Sequence, residues 1–336
     1  MSAVRPMLQP PHLSVDYVDG ADPQPLLDGN DTLAVIGFGS AAPHHDDPRY
    51  LRVALQPHGA APFEVWRGSG PVLRGRDGDV AWAEDGTLQF GVIELDEAPG
   101  PDGMSDIEAT SERLYARLSA FLQERGYPNL LRVWNYLDGI TSGEGDEERY
   151  RQFCVGRARG LGTVDPATLP AATAIGRVDS ERRLQVYWLA ARMPGTPLEN
   201  PRQISAYRYP RQYGPQPPSF ARAMLPPADG AMPLLLSGTA AIVGHESRHI
   251  DSVVTQLDET LANFDSLLTA ARAQRPALPA QFGAHSRLKV YVRQLDEMDA
   301  VAAELDARLG PDVPRILLHA AVCRRELRVE IDGVHA

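Results

Sequence analysis

Four residues of the predicted helix ERYRQFCVGRARG share one helix face. Tyr150, Phe153, Cys154 and Arg157 stand at i, i+3, i+4 and i+7, which is the spacing of neighbours along a helix surface. This stripe combines aromatic rings, a thiol and a guanidinium group. A half-buried arginine favours an anionic partner, because burying an unpaired charge is costly. The pattern therefore indicates either an anion-binding position or a solvated helix face.

Glu330 is a second residue of chemical interest, and it lies on the predicted strand LRVEIDGV. Side chains alternate along a strand, so Glu330 lies on the face opposite Val329 and Ile331. Such a carboxylate is usually solvated or at a sheet edge. Aligning LQVYW with LRVEI places Tyr187 opposite Glu330, which indicates that only one of two related strands kept an acid.

The segment between these two groups is rich in proline and tyrosine, and it includes Tyr209, Tyr213 and Arg222. Its aromatic content is too high for a flexible linker. We therefore predict an ordered segment packed against a site, in which these side chains serve for packing or form the wall of a pocket.

Two motifs resemble cofactor or metal sites, and their contexts argue against both. Residues 37–42 match the glycine-rich dinucleotide fingerprint, but the prolines that follow prevent the helix that would receive a pyrophosphate. Residues 245–249 read H-E-x-x-H, yet they follow a strand directly and are predicted to lie on a loop. Zinc sites with this motif need a continuing helix and a third ligand. We expect neither a metal nor a cofactor.

The elements that must position these residues follow one order twice. Each run reads helix, strand, helix, strand, strand, first over about 105–191 and again over 251–336. A matching order at so long an offset indicates two related α+β modules, not a short solenoid repeat. We predict an N-terminal module with loop-rich first strands over 1–191, a connector over 192–231 and a C-terminal module over 232–336.

Composition and charge restrict the class of protein. Of the 336 residues, 43% are hydrophobic and 23% are charged, which is typical of a globular chain. The net charge of −11 argues against broad binding of nucleic acid or anionic membranes. Two cysteines are too few for a disulfide framework and suit a reducing compartment. With no apolar run of signal-peptide or membrane-spanning length, we expect a cytoplasmic protein.

The segments SGTAAI, QLDETLANFDSLL, LKVYVRQLDEMDAV and PRILLHAAVCRRELRVEID resemble one complete module of the reactive-intermediate deaminase (RidA-like) superfamily. The run 86–191 resembles a degenerate second copy. The resemblance implies an α+β fold of tandem RidA-like (chorismate-mutase-like) modules, with mixed sheets and helices packed on one face. It also implies that Glu330 handles protons and that Arg315 binds a carboxylate. RidA-like trimers place their sites between subunits, so two fused modules imply a monomer whose internal repeat imitates an oligomer.

The whole chain is more similar to the chorismatases, which are built from fused RidA-like modules and act on the small dianion chorismate. The segments RYRQFCVGRA, SAYRYPRQYGPQPPSFARA, SGTAAIVGHES and CRRELRVEID carry this resemblance. It implies substrate-binding roles for two arginine–tyrosine pairs and for one tyrosine of the pocket wall: Arg157 with Tyr150, Arg222 with Tyr209, and Tyr213. Glu330 then matches the catalytic acid of a site without cofactor or metal.

By the same resemblance, product choice depends on two pocket positions. Members that make 3-hydroxybenzoate are bulkier there than hydrolytic members, with a cysteine at one position, and this sequence has Ala240 and Cys323. Bulkier side chains at these two positions would exclude water from the pocket. Cys323 would act there either as a base or as a steric element. The resemblance thus implies a lyase that releases pyruvate and 3-hydroxybenzoate, with 4-hydroxybenzoate open as a further product. The alternatives are a chorismate hydrolase, a RidA-like enamine/imine deaminase and, more distantly, a non-catalytic sensor or a zinc peptidase.

Overall fold

The computed structural model describes residues 10–98, 106–227 and 230–336. Its first elements are short and belong mainly to an N-terminal sheet: β1 (Ser14–Val18), α1 (Gln24–Leu27), β2 (Thr32–Phe38), β3 (Tyr50–Val53), β4 (Gln56–Pro57) and β5 (Phe63–Arg67). Four of them pair in the order β1-β5-β2-β3. The glycine-rich motif at 37–42 covers the last two residues of β2 and the turn after it, and the chain from there to β3 contains no helix.

The remaining elements form two larger sheets with their helices, which we call the first and the second module. The first contains β6 (Leu73–Asp77), β7 (Val80–Glu84), β8 (Leu88–Asp96), α2 (Asp106–Arg125), β9 (Asn129–Asp138), α3 (Arg149–Leu161), β10 (Ala171–Arg177) and β11 (Arg183–Ala191). The connector and the second contain β12 (Thr196–Leu198), β13 (Ala223–Leu225), β14 (Leu234–Ala240), β15 (Ile242–Val243), β16 (Glu246–Ser247), α4 (Val253–Gln274), β17 (Arg287–Val292), α5 (Met298–Leu309), β18 (Arg315–His319), β19 (Ala321–Val322) and β20 (Val329–His335).

In the two larger sheets, corresponding strands stand in the same order. The first runs β19-β10-β9-β11-β8-β7-β6, and the second runs β4-β18-β17-β20-β14-β13-β12. The pairs β9–β10 and β17–β18 are parallel, whereas β11 and β20 are antiparallel to their neighbours. This correspondence confirms the predicted α+β fold of mixed sheets with an internal repeat. It also makes β11, which carries Tyr187, the counterpart of β20, which carries Glu330.

Each larger sheet is completed at one edge by a short strand from a distant part of the chain. In the first sheet, β19 pairs with β10 through Val322 and Ala321. In the second, β4 from the N-terminal region pairs with β18. The residues that follow β19 therefore lie beside the first module, although they belong to the second half of the sequence.

One apolar core lies between the N-terminal sheet and the two larger sheets, with buried residues such as Leu33, Trp66 and Leu318. At its centre Tyr187 stacks on Trp134, with ring centroids 4.6 Å apart. Helices α2 and α3 cover the outer face of the first sheet, and α4 and α5 cover that of the second. Helices thus pack on one face of each sheet, as predicted. None of the helices in the described ranges combines the length and the apolar character needed to cross a bilayer.

Glycine allows α3 to lie close to α2. A Cβ atom at Gly156 would overlap the backbone of Glu108, and one at Gly160 would overlap the backbone of Glu112. The close approach of the helices fixes α3 against the first sheet. Arg157, next to the contact, is buried as a result.

Candidate active site

A cavity of about 450 Å³ lies between the two modules. Its walls come from α3 and β10, from the connector, and from β14, residues 323–326 and β20. A hydrogen bond from the Ala172 N–H to the Ser237 Oγ (2.9 Å) ties β10 to β14 beside it. This volume is typical of small-molecule sites. All but one of the site residues predicted from the sequence line the cavity: Tyr150, Arg157, Tyr209, Tyr213, Arg222, Ala240, Cys323 and Glu330.

Arg315 is the exception, because the described residues that line the cavity do not include it. Its guanidinium donates to two carbonyls of the preceding turn (both 3.0 Å) and pairs with Asp306 of α5. In the second sheet Arg315 is paired with Leu288 near the start of β17, whereas Glu330 is paired with Tyr291 near its end. Strand register therefore separates Arg315 from Glu330, and its predicted place in the site is wrong.

Glu330 lies on the buried side of the cavity, with 5% of its surface exposed. Strand β20 holds it opposite Ala240 of β14 and Tyr291 of β17. Burial, together with the charge of Asp332, raises the pKa of the Glu330 carboxyl to about 8, although Arg222 and other nearby arginines oppose this rise. A carboxyl group with such a pKa keeps its proton at neutral pH and can act as a general acid.

A glycine provides the space that the Glu330 carboxyl occupies. The register of β14 against β20 shifts between Leu236 and Thr239. A Cβ atom at Gly238 would overlap the Glu330 carboxyl and would come 3.3 Å from the hydroxyl of Thr173. Any larger residue at this position would displace the acid from the cavity wall.

Arg157 of α3 enters the cavity from the first module and is only 5% exposed. Its Nη1 donates to the carbonyl and the hydroxyl oxygen of Ser219, at 2.7 and 2.6 Å. Its Nε and Nη2 are buried without a hydrogen-bond partner in the described structure. Buried guanidinium donors are costly to leave unpaired, so they are suited to an anionic ligand.

Arg222 of the connector is 3% exposed and provides a second buried guanidinium. Its Nη2 donates to the Ile204 carbonyl (2.9 Å) and to the Tyr209 hydroxyl (2.8 Å). Its Nε is buried and, among the described residues, has no partner. Because the Tyr209 oxygen accepts from Arg222, its own hydrogen remains available for a ligand.

Arg324 also lines the cavity, and sequence reasoning missed it. Its guanidinium lies 4.1 Å from the Tyr213 ring centroid and 5.2 Å from that of Tyr209, and it donates to the carbonyl of His245 (2.8 Å). Tyr213 in turn hydrogen-bonds the His245 ring (3.1 Å). All these partners are distant in sequence, so no local spacing marks Arg324 as a site residue.

The two cysteines of the chain, Cys154 and Cys323, both line the cavity as free thiols. Burial raises the pKa of Cys154 to about 12 and raises the pKa of Cys323 well above its ordinary value. Both thiols are therefore protonated and behave as small apolar groups, which weighs against Cys323 as a base. Cys323 packs against the small apolar cluster that contains Ala240, and both residues line the cavity.

The H-E-x-x-H motif lies on the β15–β16 hairpin and the turn after it, and the prediction that it is not helical is confirmed. His245 contacts Tyr213, and His249 contacts Glu259 at 3.0 Å. Across residues 10–98, 106–227 and 230–336, no three His, Cys, Asp or Glu side chains are grouped so that they could hold a metal ion.

Comparison with known proteins extends these observations. Residues 64–190 match the family model described as chorismatase FkbO/Hyg5-like, N-terminal. A chorismatase of Streptomyces hygroscopicus is 36% identical over 326 residues, which are 93% of this chain and 92% of that protein. A 3-hydroxybenzoate synthase of the same species is 33% identical over 321 residues, which are 91% of this chain and 92% of that protein.

Among solved structures, a crystal structure of a chorismatase superposes on this chain with a TM-score of 0.81 at 34% sequence identity. The superposition covers 97% of this chain and 98% of the other. It therefore spans both modules and the connector, which are the parts that line the cavity. The chain belongs to the chorismatase family.

Proposed function

We propose that this protein binds chorismate between its two modules and cleaves it to 3-hydroxybenzoate and pyruvate. The proposal depends on one observation: a buried carboxylic acid, Glu330, shares a cavity with the unpartnered guanidinium donors of Arg157 and Arg222. Chorismate carries two carboxylates and an enolpyruvyl ether, so its cleavage needs two cationic groups and a proton donor. The similar proteins named chorismatase and 3-hydroxybenzoate synthase support this substrate and product.

Arg157 and Arg222 lie on different walls of the cavity, and each would bind one carboxylate. The planar guanidinium group suits a carboxylate because it presents several donors in a fixed geometry. The Tyr209 hydroxyl, held by Arg222 at 2.8 Å, can donate a further hydrogen bond to the same ligand. Tyr150 and Tyr213 form the adjoining walls.

Glu330 would start the reaction by protonating the methylene carbon of the enolpyruvyl group, which becomes a methyl group. The side chain is then an oxocarbenium ion, and the bond between the ring carbon and the ether oxygen breaks with its electrons passing to oxygen. Pyruvate leaves. The hydroxyl oxygen on the neighbouring ring carbon then forms a bond to the vacated carbon, and its bond to its original carbon breaks, so that the positive charge passes to that original carbon. The hydrogen on the newly hydroxylated carbon leaves as a proton, which restores Glu330 and completes the aromatic ring. Chorismate thus becomes hydroxybenzoate and pyruvate with no oxidant or reductant, which is a cofactor-independent lyase reaction.

Ala240 and Cys323 would direct the reaction to the aromatic product by their bulk. A water molecule that reached the oxocarbenium ion would give the dihydrodiol of a hydrolase. Ala240 is paired with Glu330 in the sheet, and the protonated thiol of Cys323 packs against the apolar cluster that contains Ala240. They would occupy the space through which that water must approach.

The test is to incubate the purified, chelator-treated protein with chorismate, to assay pyruvate and to separate the products by chromatography. We expect pyruvate and 3-hydroxybenzoate in equal amounts, with no label from isotopically labelled water in the 3-hydroxybenzoate. Glu330→Gln should lower turnover by about a hundred- to ten-thousand-fold, which is the usual contribution of a general acid. Absence of pyruvate above background would refute the proposal, and the dihydrodiol as main product would replace it with hydrolysis.

We further propose that a single chain is a complete catalytic unit. The cavity is lined from both modules and from the connector between them, and the internal repeat provides the inter-module position that separate subunits would otherwise provide. Turnover per chain should stay constant on dilution through the range in which light scattering reports a monomer.

A further inference from the structure

A network of buried charges and hydroxyl groups lies directly behind Glu330. Its centre is Asp332, which is fully buried. The Asp332 Oδ2 accepts hydrogen bonds from Trp134 Nε1 (3.0 Å), Thr173 Oγ1 (2.7 Å) and the Tyr291 hydroxyl (2.9 Å). The same oxygen lies 3.1 Å from Nη2 of Arg132, which is also fully buried. The network therefore joins the two modules through an ion pair.

Asp332 is close to Glu330 because the two residues share one face of β20, two positions apart. Neither Asp332 nor Arg132 is among the described residues that line the cavity, whereas Thr173 is. The Thr173 hydroxyl gives its single hydrogen to Asp332 and accepts from Arg132 Nη2 at 2.5 Å. It consequently has no hydrogen to donate to a Glu330 carboxylate. At the cavity wall the network presents the hydroxyl oxygen of Thr173, which acts as an acceptor, and the negative charge of Asp332 lies behind it. Both features disfavour ionisation of Glu330.

Charged and titratable groups from other elements also face Glu330. They are Arg222 of the connector, Arg293 after β17, Cys323 before β20 and Tyr150 of α3. A second buried pair lies beyond Asp332, formed by Lys289 and Glu64 at 2.9 Å. Two cations and two anions thus balance in the interior, so a change to one member of the Arg132–Asp332 pair leaves an uncompensated charge next to Glu330.

We propose that Asp332 and Arg132 are positioning residues that hold the transferable proton on Glu330 through opposing charges. The inference rests on the proposed function, because it gives Glu330 the role of a proton donor. The negative charge of Asp332 keeps Glu330 protonated, and Arg132 limits that effect while it keeps Asp332 ionised. Neither residue touches the substrate. Their removal should therefore change the pH at which Glu330 works more than it changes substrate binding.

The test compares Asp332→Asn, Arg132→Met and the double variant with wild type. A general acid fails above its own pKa, so kcat/KM for pyruvate release falls on the basic side. Asp332→Asn should move this fall to lower pH by about one unit, and Arg132→Met should move it upward by a similar amount. The double variant should return close to wild type, with KM nearly unchanged throughout.

Asp47→Asn is the matched control, since it removes the carboxylate from another largely buried ion pair, with Arg49 at 2.8 Å in the N-terminal region. It should lower thermal stability without moving the pH profile. Shifts of the same direction in both single variants, or no shift in either, would overturn the proposal. If Asp332→Asn does not fold, the comparison uses the other two variants. The fall of kcat/KM must then occur at higher pH in Arg132→Met than in the double variant.

A substrate-free measurement separates failure of this inference from failure of the proposed function. The protein is labelled with glutamate carrying ¹³C in the carboxyl group, and the Glu330 signal is assigned by its loss in Glu330→Gln. Its titration midpoint should move down in Asp332→Asn and up in Arg132→Met. Opposed midpoints in a protein that releases no pyruvate would support the charge pair and refute the chorismate reaction. Unmoved midpoints in a protein that does release pyruvate would refute the role of the charge pair and support the chorismate reaction.

Discussion

Replacing Glu330 by glutamine tests the protonation of the buried acid in the folded protein without any substrate. Glutamine has nearly the same shape as a protonated glutamate and cannot ionise. The pKa of Glu330 rises from an ordinary 4.5 to about 8 in the folded protein, mainly through burial. Below 4.5 the group is protonated in both states and folding has no electrostatic cost. As the pH rises through this window, the unfolded chain loses its proton first and wild type is destabilised.

The size of the effect follows from the two pKa values. One pKa unit corresponds to about 1.4 kcal/mol, so wild type should lose at most about 5 kcal/mol of stability between pH 4.5 and 8 through this residue. About 3 kcal/mol of that loss should already be present at pH 7. These values are large beside the roughly 5–15 kcal/mol that stabilise a typical domain. Glu330→Gln lacks this dependence, so its advantage over wild type should grow with pH.

The assay is urea unfolding of both proteins at several pH values between about 4.5 and 8.5. The quantity of interest is the difference between their free energies of unfolding, because all other titrating groups are common to both and cancel. We expect the difference to rise in favour of the variant and to level off near pH 8. A difference that stays constant across this range would refute the raised pKa, and with it the argument that Glu330 is a general acid at neutral pH.

The remaining predictions concern the arginines and the two small residues of the cavity. Arg157→Ala and Arg222→Ala should each lower kcat/KM for chorismate by about ten- to a hundredfold, since a hydrogen bond to a charged group contributes about 1.5–3 kcal/mol. Unchanged steady-state kinetics would reduce either residue to a structural role. Arg315→Ala should leave KM unchanged, because its guanidinium binds a turn and α5 and lies outside the described cavity lining; a raised KM would contradict its position. Combining Ala240→Gly with Cys323→Ala should divert the product to the dihydrodiol while pyruvate release continues. Chromatography that finds only hydroxybenzoate would refute the steric argument.

Local periodicity was enough to group side chains on one face of a helix or strand, whereas the prediction that these faces line a site came from the family resemblance. The helical spacing of Tyr150 and Arg157 places both on the cavity side of α3, and strand alternation places Glu330 on the cavity side of β20. In each case the period of one element fixes the direction of the side chain, and one face of that element is buried. The burial that raises the pKa of Glu330 follows from the same arrangement.

Contacts that depend on register between distant strands could not be predicted in this way. Arg315 begins β18, which β17 separates from the strand of Glu330, and the parallel pairing places it beside Leu288 near the start of β17, whereas Glu330 pairs with Tyr291 near its end. Asp332 has the sequence pattern of a solvated carboxylate like many others. Its burial comes from Trp134 and Arg132 of the first module, and the Trp134 contact spans 198 positions of the sequence. No local pattern contains that information.

The duplicated fold also explains why only one of the two related strands carries an acid in the cavity wall, at Glu330. The counterpart of β20 in the first sheet is β11, where Tyr187 faces the central core and stacks on Trp134. An acid at that position would be fully buried among aromatic rings and outside the described cavity lining, at a high energetic cost. The first module instead provides the binding helix with Arg157, and the second provides the acid strand with Glu330. Under the proposed function each module supplies a different part of the site, so the substrate would lie between them, in the cavity that Arg157, Arg222 and Glu330 line together.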